Sequence, residues 1–349
     1  MTRRDDVRAL PLYKQGDAQG VDAVKLSSNE NPYPPLPSVL KVVTEQLAGI
    51  NRYPLMAAAE VRSAIAVRHG VEPDQVAVGA GSTEVASQII HAVAGAGDEV
   101  VFAWRSFEAY PILTRVAGAT PVPVPLTADL RHDLPAMAAA VTDRTRLVFL
   151  CTPNNPTGTT LSTGEVEDFL AQVPDDVVVV LDEAYTHFNR DQDAVNGLDL
   201  VRRYPNVISL KTFSKAYGLA GLRIGFAVSS TDLSDDLRRV ATPFTVTNLA
   251  QRAAMASLLA EDELAERVEL IVAERERLRS GLLDAGWPVG PSQANFLWLA
   301  LGADTDRVDA GLRAAGVFAR SWSGEGIRLS VGSVREDDRA LAALASLRS

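Results

Sequence analysis

The chain has 349 residues, long enough for a large core and two domains, and its 47% hydrophobic and 22% charged content is that of a soluble globular protein. A net charge of -10 argues against nucleic acid as a general partner. One cysteine, Cys151, excludes an internal disulfide and a cysteine-built metal site.

The four histidines, at 69, 91, 132 and 187, are scattered without metal-ligand spacing. No apolar h-region follows Met1, and no apolar run reaches the length of a membrane span. The expectation is a cytoplasmic protein with no membrane partner and no metal.

Residues 1–37 read as irregular. Leu26-Ser-Ser-Asn-Glu-Asn-Pro-Tyr-Pro-Pro35 is too rich in turn residues for a helix or strand, so it is a linker or an arm lying over a site. Ser38 to Ala48 has helical apolar spacing, at Val39, Val42, Val43 and Leu47. Glu60 to His69 reads as a second helix, closed by Gly70. Val76 to Val78 is a short strand, Gly79-Ala-Gly-Ser-Thr-Glu84 its exit turn, and Val85 to Ala94 an amphipathic helix. A glycine turn leading to a helix start at Ser82 and Thr83 suits an anion, because the first helical N–H groups are unpaired and the helix dipole is positive there.

Val100 to Ala103 is the next strand, and Trp104-Arg-Ser-Phe-Glu-Ala-Tyr-Pro111 opens the loop or helix after it. Thr120 to Pro125 is an edge strand, since its prolines cannot donate to two neighbours. Leu134 to Val141 is helical. Strands follow at Leu147–Leu150, Val177–Leu181, Val207–Leu210 and Leu222–Val228. Their alternation with helices predicts an α/β architecture, a mostly parallel sheet covered on both faces. Ligands in such sheets lie beyond the carboxyl ends of the strands. Asn155, Asp182, Tyr185 and Lys215 all fall just past such ends. Leu249 to Ala285 is a long helical region broken near Glu261, and the strands and helices from Ala294 to Leu347 read as a second αβ unit.

The chemistry concentrates in Ser209-Leu-Lys-Thr-Phe-Ser-Lys-Ala-Tyr-Gly-Leu-Ala-Gly-Leu-Arg-Ile-Gly225. Taken alone, Lys215 is a surface charge or a reactive amine. The hydroxyls of Thr212 and Ser214 with the guanidinium of Arg223 make a phosphate seat, because an oxyanion wants several donors and a fixed positive charge. This stretch resembles the lysine motif of fold-type-I pyridoxal-phosphate aminotransferases, in the histidinol-phosphate aminotransferase group. Thr152-Pro-Asn-Asn-Pro-Thr-Gly158, Asp182-Glu-Ala-Tyr185 and Gly326-Ile-Arg-Leu-Ser-Val-Gly332 carry the likeness further, and it covers nearly the whole chain.

The resemblance implies a fold-type-I transferase with three parts. Residues 1–37 form an arm over the site and the small domain, 38–246 a large cofactor domain, and 247–349 a small domain. It implies a homodimer with shared active sites, and pyridoxal 5'-phosphate as cofactor, held as a Schiff base on Lys215. Asp182 would pair with the pyridine nitrogen. It follows five apolar residues and, desolvated there, needs a cationic partner. Asn155 and Tyr185 would donate to the ring hydroxyl oxygen. Phe107 would stack on the ring, with Trp104 as runner-up. Gly81, Ser82, Thr83, Ser214 and Arg223, with Thr212, would seat the phosphate, and Tyr53 would reach it from the neighbouring subunit.

Arg328 would clamp the substrate carboxylate, the competing reading being a structural salt bridge. Arg320 would be a second substrate contact or a plain exposed arginine. Asn29 lies on the arm segment that closes over substrate in the family. The Trp104–Pro111 stretch, with Phe107, is most similar to aromatic amino-acid (phenylalanine) aminotransferases. The implied reaction moves an amino group between phenylalanine or tyrosine and a 2-oxo acid such as 2-oxoglutarate. The alternatives are histidinol phosphate as substrate, a threonine-phosphate decarboxylase, and a non-enzymatic cofactor-sensing domain. A nucleotide-binding αβ protein would need a Gly-Lys-Ser/Thr loop that the sequence lacks.

Overall fold

Two sheets organise the chain in a computed structural model that describes residues 22–348, with Arg8 and Leu10 ahead of them. The rest of the arm's first 21 positions lie outside the described residues. In chain order the strands are β1 (Val24–Leu26), β2 (Val76–Gly79), β3 (Glu99–Trp104), β4 (Thr120–Pro125), β5 (Thr145–Cys151) and β6 (Val178–Asp182). They continue with β7 (Val207–Thr212), β8 (Gly225–Val228), β9 (Phe296–Ala300), β10 (Val317–Trp322) and β11 (Gly326–Ser330).

The seven-stranded sheet runs β2-β8-β7-β6-β5-β3-β4. Its β4-β3-β5-β6-β7 part is parallel, and β8 is antiparallel to both its neighbours. The continuous apolar runs follow from burial on both faces. Val178 and Val180 pack toward Val85, Ile89 and Tyr110 on one side. Val179 and Leu181 pack toward Val61, Phe169 and Ala253 on the other. β4 is an edge strand, where Pro121, Pro123 and Pro125 interrupt no second ladder. Register decides where the site falls. Cys151 pairs with Asp182, and Asp182 with Leu210, so the exit loops of β5, β6 and β7 leave the sheet side by side.

The smaller sheet runs β1-β10-β11-β9, so a strand from the N-terminal segment completes the C-terminal unit. The helix Glu261–Asp284 ties the two units together: Val268 and Ile271 belong to the large core, while Leu278 and Leu282 belong to the small one. The helix Asn248–Leu259 packs on the helices Pro37–Gln46 and Ala59–His69 and shares the large core. Among the described residues no helix is long and apolar enough to cross a membrane.

Candidate active site

Past the carboxyl ends of β5, β6 and β7 lies a cavity of about 250 Å³. Ser28 and Glu30 of the N-terminal segment line it, as do Ser82, Thr83 and Phe107. The strand exits contribute Cys151, Asn155, Asp182, Tyr185, Thr212, Ser214, Lys215 and Arg223.

At one end the helix Ser82–Val93 presents its N-terminus, capped by Gly81 at φ 84°. A β-carbon at Gly81 would lie 2.2 Å from Arg223 Nη2, and one at Gly225 would lie 2.3 Å from the Ser82 amide nitrogen. Both positions therefore require glycine: the guanidinium and β8 are pressed against the helix start. Arg223 donates to Ser214 Oγ at 3.3 Å and, from Nη2, to the Ala80 carbonyl at 3.3 Å. The Ser214 amide donates to Thr212 Oγ1 at 3.1 Å. Helix amides, two hydroxyls and a fixed cation converge on one small volume, which makes an oxyanion seat.

Lys215 Nζ faces the same cavity and donates to the Ser28 carbonyl at 3.1 Å. Burial, and then the Arg328 and Arg223 charges, push its pKa down to about 7 against the opposing pull of Glu30 and Asp182. Asp182 is 4% exposed, and burial raises its carboxyl to about 6. Tyr110 counters that rise, its hydroxyl donating to Asp182 Oδ2 at 2.6 Å. The other carboxylate oxygen accepts a longer bond, 3.3 Å, from the Ala184 amide. Tyr110 is fully buried, stacked on Phe149 at 4.4 Å and set edge-on to Phe107 at 5.4 Å. It is the residue that sequence reasoning missed. The available signal was its spacing: Tyr110 follows Phe107 by three residues and so shares its side of a helical turn.

The remaining residues separate into those at the cavity and those elsewhere. Phe107 is on the wall; Trp104 is not, and its ring instead carries the Arg105 guanidinium at 4.5 Å. Asn155 Oδ1 accepts from Arg328 Nη1 at 2.6 Å, and Arg328 Nη2 donates to the Ser27 carbonyl at 2.6 Å. Asn154, next in sequence, is turned away into the scaffold: it accepts from Ser106 Oγ at 2.8 Å and donates to Thr157 Oγ1 at 2.9 Å. Asn29, at φ 53°, donates to Tyr185 Oη at 3.0 Å, and its backbone N–H donates to Ser330 Oγ at 2.8 Å. The N-terminal segment is thus bonded both to the cavity wall and to β11. Arg320 is directly across the ladder from Arg328 and holds Glu108. Tyr53 is 82% exposed, against Phe244 at 4.9 Å, and borders a separate groove with Ile50 and Asn248.

The sequence matches the aminotransferase class I and II family over residues 21–344. The chain belongs to that family. This aminotransferase is 70% identical over 342 residues to the aromatic amino acid aminotransferase of Cutibacterium acnes, an alignment covering 98% of this chain and 97% of that one. It is 53% identical over 338 residues to the enzyme of the same name from Streptomyces avermitilis, covering 96% and 94%. Among solved structures, the histidinol-phosphate aminotransferase from Sinorhizobium meliloti, in complex with pyridoxal-5'-phosphate, superposes with a TM-score of 0.87 at 30% identity, covering 92% of this chain and 90% of that one. The aminotransferase carries the fold-type-I architecture, a large mostly parallel sheet between helix layers with a smaller αβ unit.

Proposed function

We propose that this aminotransferase moves the amino group of an aromatic amino acid, phenylalanine or tyrosine, to a 2-oxo acid such as 2-oxoglutarate, using pyridoxal phosphate anchored at Lys215. The observation that carries the reading is the meeting of a desolvated amine, a buried carboxyl and an oxyanion seat in one cavity of about 250 Å³. The donor set suits the cofactor. Gly81 leaves the space that a phosphate beside Arg223 needs, and Asp182 is a buried acid facing a cavity where a pyridinium N–H would match it. Two names support the aromatic substrate, those of the Cutibacterium and Streptomyces relatives. Phe107 on the wall agrees with them.

Pyridoxal phosphate, when bound, supplies an electron sink that makes the substrate Cα proton removable. The other tasks fall to side chains. With a pKa of about 7, Lys215 is partly neutral at physiological pH, so its amine can attack a carbonyl and can later carry the Cα proton as general base. The Arg328 fork matches a substrate α-carboxylate, already steadied by Asn155 and Ser27. Asn29 holds the Tyr185 hydroxyl in place and lays the N-terminal segment over the cavity. The exposed side chains of Ile50, Tyr53, Leu55, Met56 and Phe244 form an apolar surface suited to a second copy of the chain, to which Tyr53 would be offered.

The protein incubated with pyridoxal phosphate should turn over phenylalanine and 2-oxoglutarate with ping-pong kinetics. Lys215→Ala should lose turnover by about 10²–10⁴-fold or more. Turnover left intact in that variant would sink the assignment.

A further inference from the structure

We infer that a cavity bounded by Tyr217, His187 and the start of the helix Glu261–Asp284 is a second small-molecule site, suited to a zwitterionic α-amino acid with an apolar or aromatic side chain. The inference goes beyond the catalytic reading and does not rest on it.

This cavity measures about 490 Å³, within the range of small-ligand pockets, about 300–1,000 Å³. It shares no lining residue with the cavity that holds Lys215. Two short segments reach from one to the other. Lys215 and Tyr185 line the first cavity, and Tyr217 and His187, each two positions further on, line the second. The Tyr217 and His187 rings meet edge-on at 5.0 Å. With the buried side chains of Leu258, Leu264 and Val268 they give the cavity an apolar and aromatic wall.

The polar groups on the remaining wall are unmatched by the protein. Ser257 is fully buried, and its Oγ has no hydrogen-bond partner. Buried hydroxyls are ordinarily bonded, so this one calls for a ligand atom. Arg68 is paired with Glu261, Nε to Oε1 at 2.7 Å, and its two Nη groups donate no hydrogen bond to a described residue. That leaves a planar fork for a carboxylate. The Asp262 carboxylate has no ion-pair or hydrogen-bond partner among the described residues, which leaves an acceptor for an ammonium group. Burial, and after it the Lys211, His69 and Arg68 charges, holds the His187 imidazole neutral, its pKa pushed down to about 3. It therefore adds no further positive charge.

These groups select among ligand classes. Among the described residues no cluster of His, Cys, Asp and Glu could hold a metal ion. A plain anion meets the carboxylates of Glu261, Asp262 and Glu269 around two arginines, Arg68 and Arg190, of which Arg190 already donates to Glu269. A plain amine leaves the Arg68 fork unanswered. A zwitterion with an apolar side chain answers the fork, the free carboxylate and the apolar wall together.

Equilibrium dialysis with α-methyl-L-phenylalanine tests this on the full chain with pyridoxal phosphate present. The probe keeps the carboxylate, the ammonium and the ring, and it has no Cα proton to lose, so it is not consumed. Ala265, exposed on the helix at the cavity wall, is replaced by tryptophan to fill the space. Wild type should bind one equivalent more per chain than Ala265→Trp. Arg68→Gln and Asp262→Asn, both at exposed positions, should each weaken that additional equivalent by about tenfold or more. Two partial probes, 3-phenylpropanoate without the ammonium and 2-phenylethylamine without the carboxylate, should bind equally to wild type and Ala265→Trp.

Equal binding of the amino acid by wild type and Ala265→Trp would overturn the site. An additional equivalent of either partial probe in wild type would overturn the zwitterion class. If Ala265→Trp does not fold, Arg68→Gln and Asp262→Asn carry the test, and unchanged stoichiometry and affinity in both overturns the inference. Failure of wild type to bind pyridoxal phosphate or to turn over phenylalanine would count against the catalytic reading, and the difference between wild type and Ala265→Trp still reports on this cavity separately.

Discussion

Replacing Tyr110 by phenylalanine keeps the ring stack on Phe149 and removes one hydrogen bond, the 2.6 Å bond to Asp182 Oδ2. What remains on Asp182 is the 3.3 Å bond from the Ala184 amide. A buried hydrogen bond to a charged group is worth about 1.5–3 kcal/mol, and about 1.4 kcal/mol moves a pKa by one. Burial already holds the Asp182 carboxyl at about 6, with Cys151, Glu183 and Lys215 as its other titratable neighbours. Losing the tyrosine donor carries its midpoint above neutrality, so at pH 7 the carboxyl is mostly protonated and can no longer serve as counter-ion to a ring N–H. The dissociation constant for pyridoxal phosphate at pH 7 should rise by about tenfold or more, and the penalty should shrink as pH is raised and the carboxyl ionises. Equilibrium dialysis of wild type and Tyr110→Phe between pH 6 and 9 reads this directly. Equal affinities across that range would show that the hydroxyl is packing alone and that the electrostatic account of Asp182 is wrong.

Other expectations follow from neighbouring geometry. Gly81→Ala places a β-carbon against Arg223 at a positive φ, so pyridoxal phosphate and inorganic phosphate should both bind more weakly while phenylpropanoate binding changes little. Asn154→Ala removes a buried hub that bonds Ser106, His132 and Thr157 and should cost about 2–4 kcal/mol in urea unfolding; Asn155→Ala should cost less stability and more turnover. Asp337 is buried against Glu274, and burial raises its carboxyl from 3.8 to about 8, so the folded state keeps a proton that the unfolded chain releases near pH 4. Its stabilising contribution is complete below pH 4 and is lost as pH rises to about 8. Asp337→Asn retains an acceptor for the Gly332 amide and should flatten that slope, raising Tm at pH 8.5 more than at pH 5; parallel Tm profiles would refute it.

The architecture was legible because it is written in local periodicity. Apolar runs of four or five residues separated by helical spacing gave the parallel core, and the prolines of β4 marked its edge. The antiparallel direction of β8 was not legible, since Leu222–Val228 reads the same either way and only its partners fix its sense. The cavity wall was legible where strand exits carry the residues, as with Asn155, Asp182 and Lys215. It was not legible where a side chain acts on another side chain. Asn154 and Asn155 are adjacent and chemically identical, yet one bonds into the scaffold and the other faces Arg328, a choice made by the turn's backbone direction. Tyr110 looks like any core aromatic until Asp182, 72 positions on, is brought to its hydroxyl.

Glu108 makes the same point. Its partner Arg320, on β10, is 212 positions away, and no spacing rule joins them. Yet that contact gives the guanidinium directly across the ladder from Arg328 its counter-charge. The proposed cofactor seat is built from short-range pattern, strand end by strand end. The pairings of Arg328 with Asn155 and of Arg320 with Glu108 are built from residues far apart in the chain.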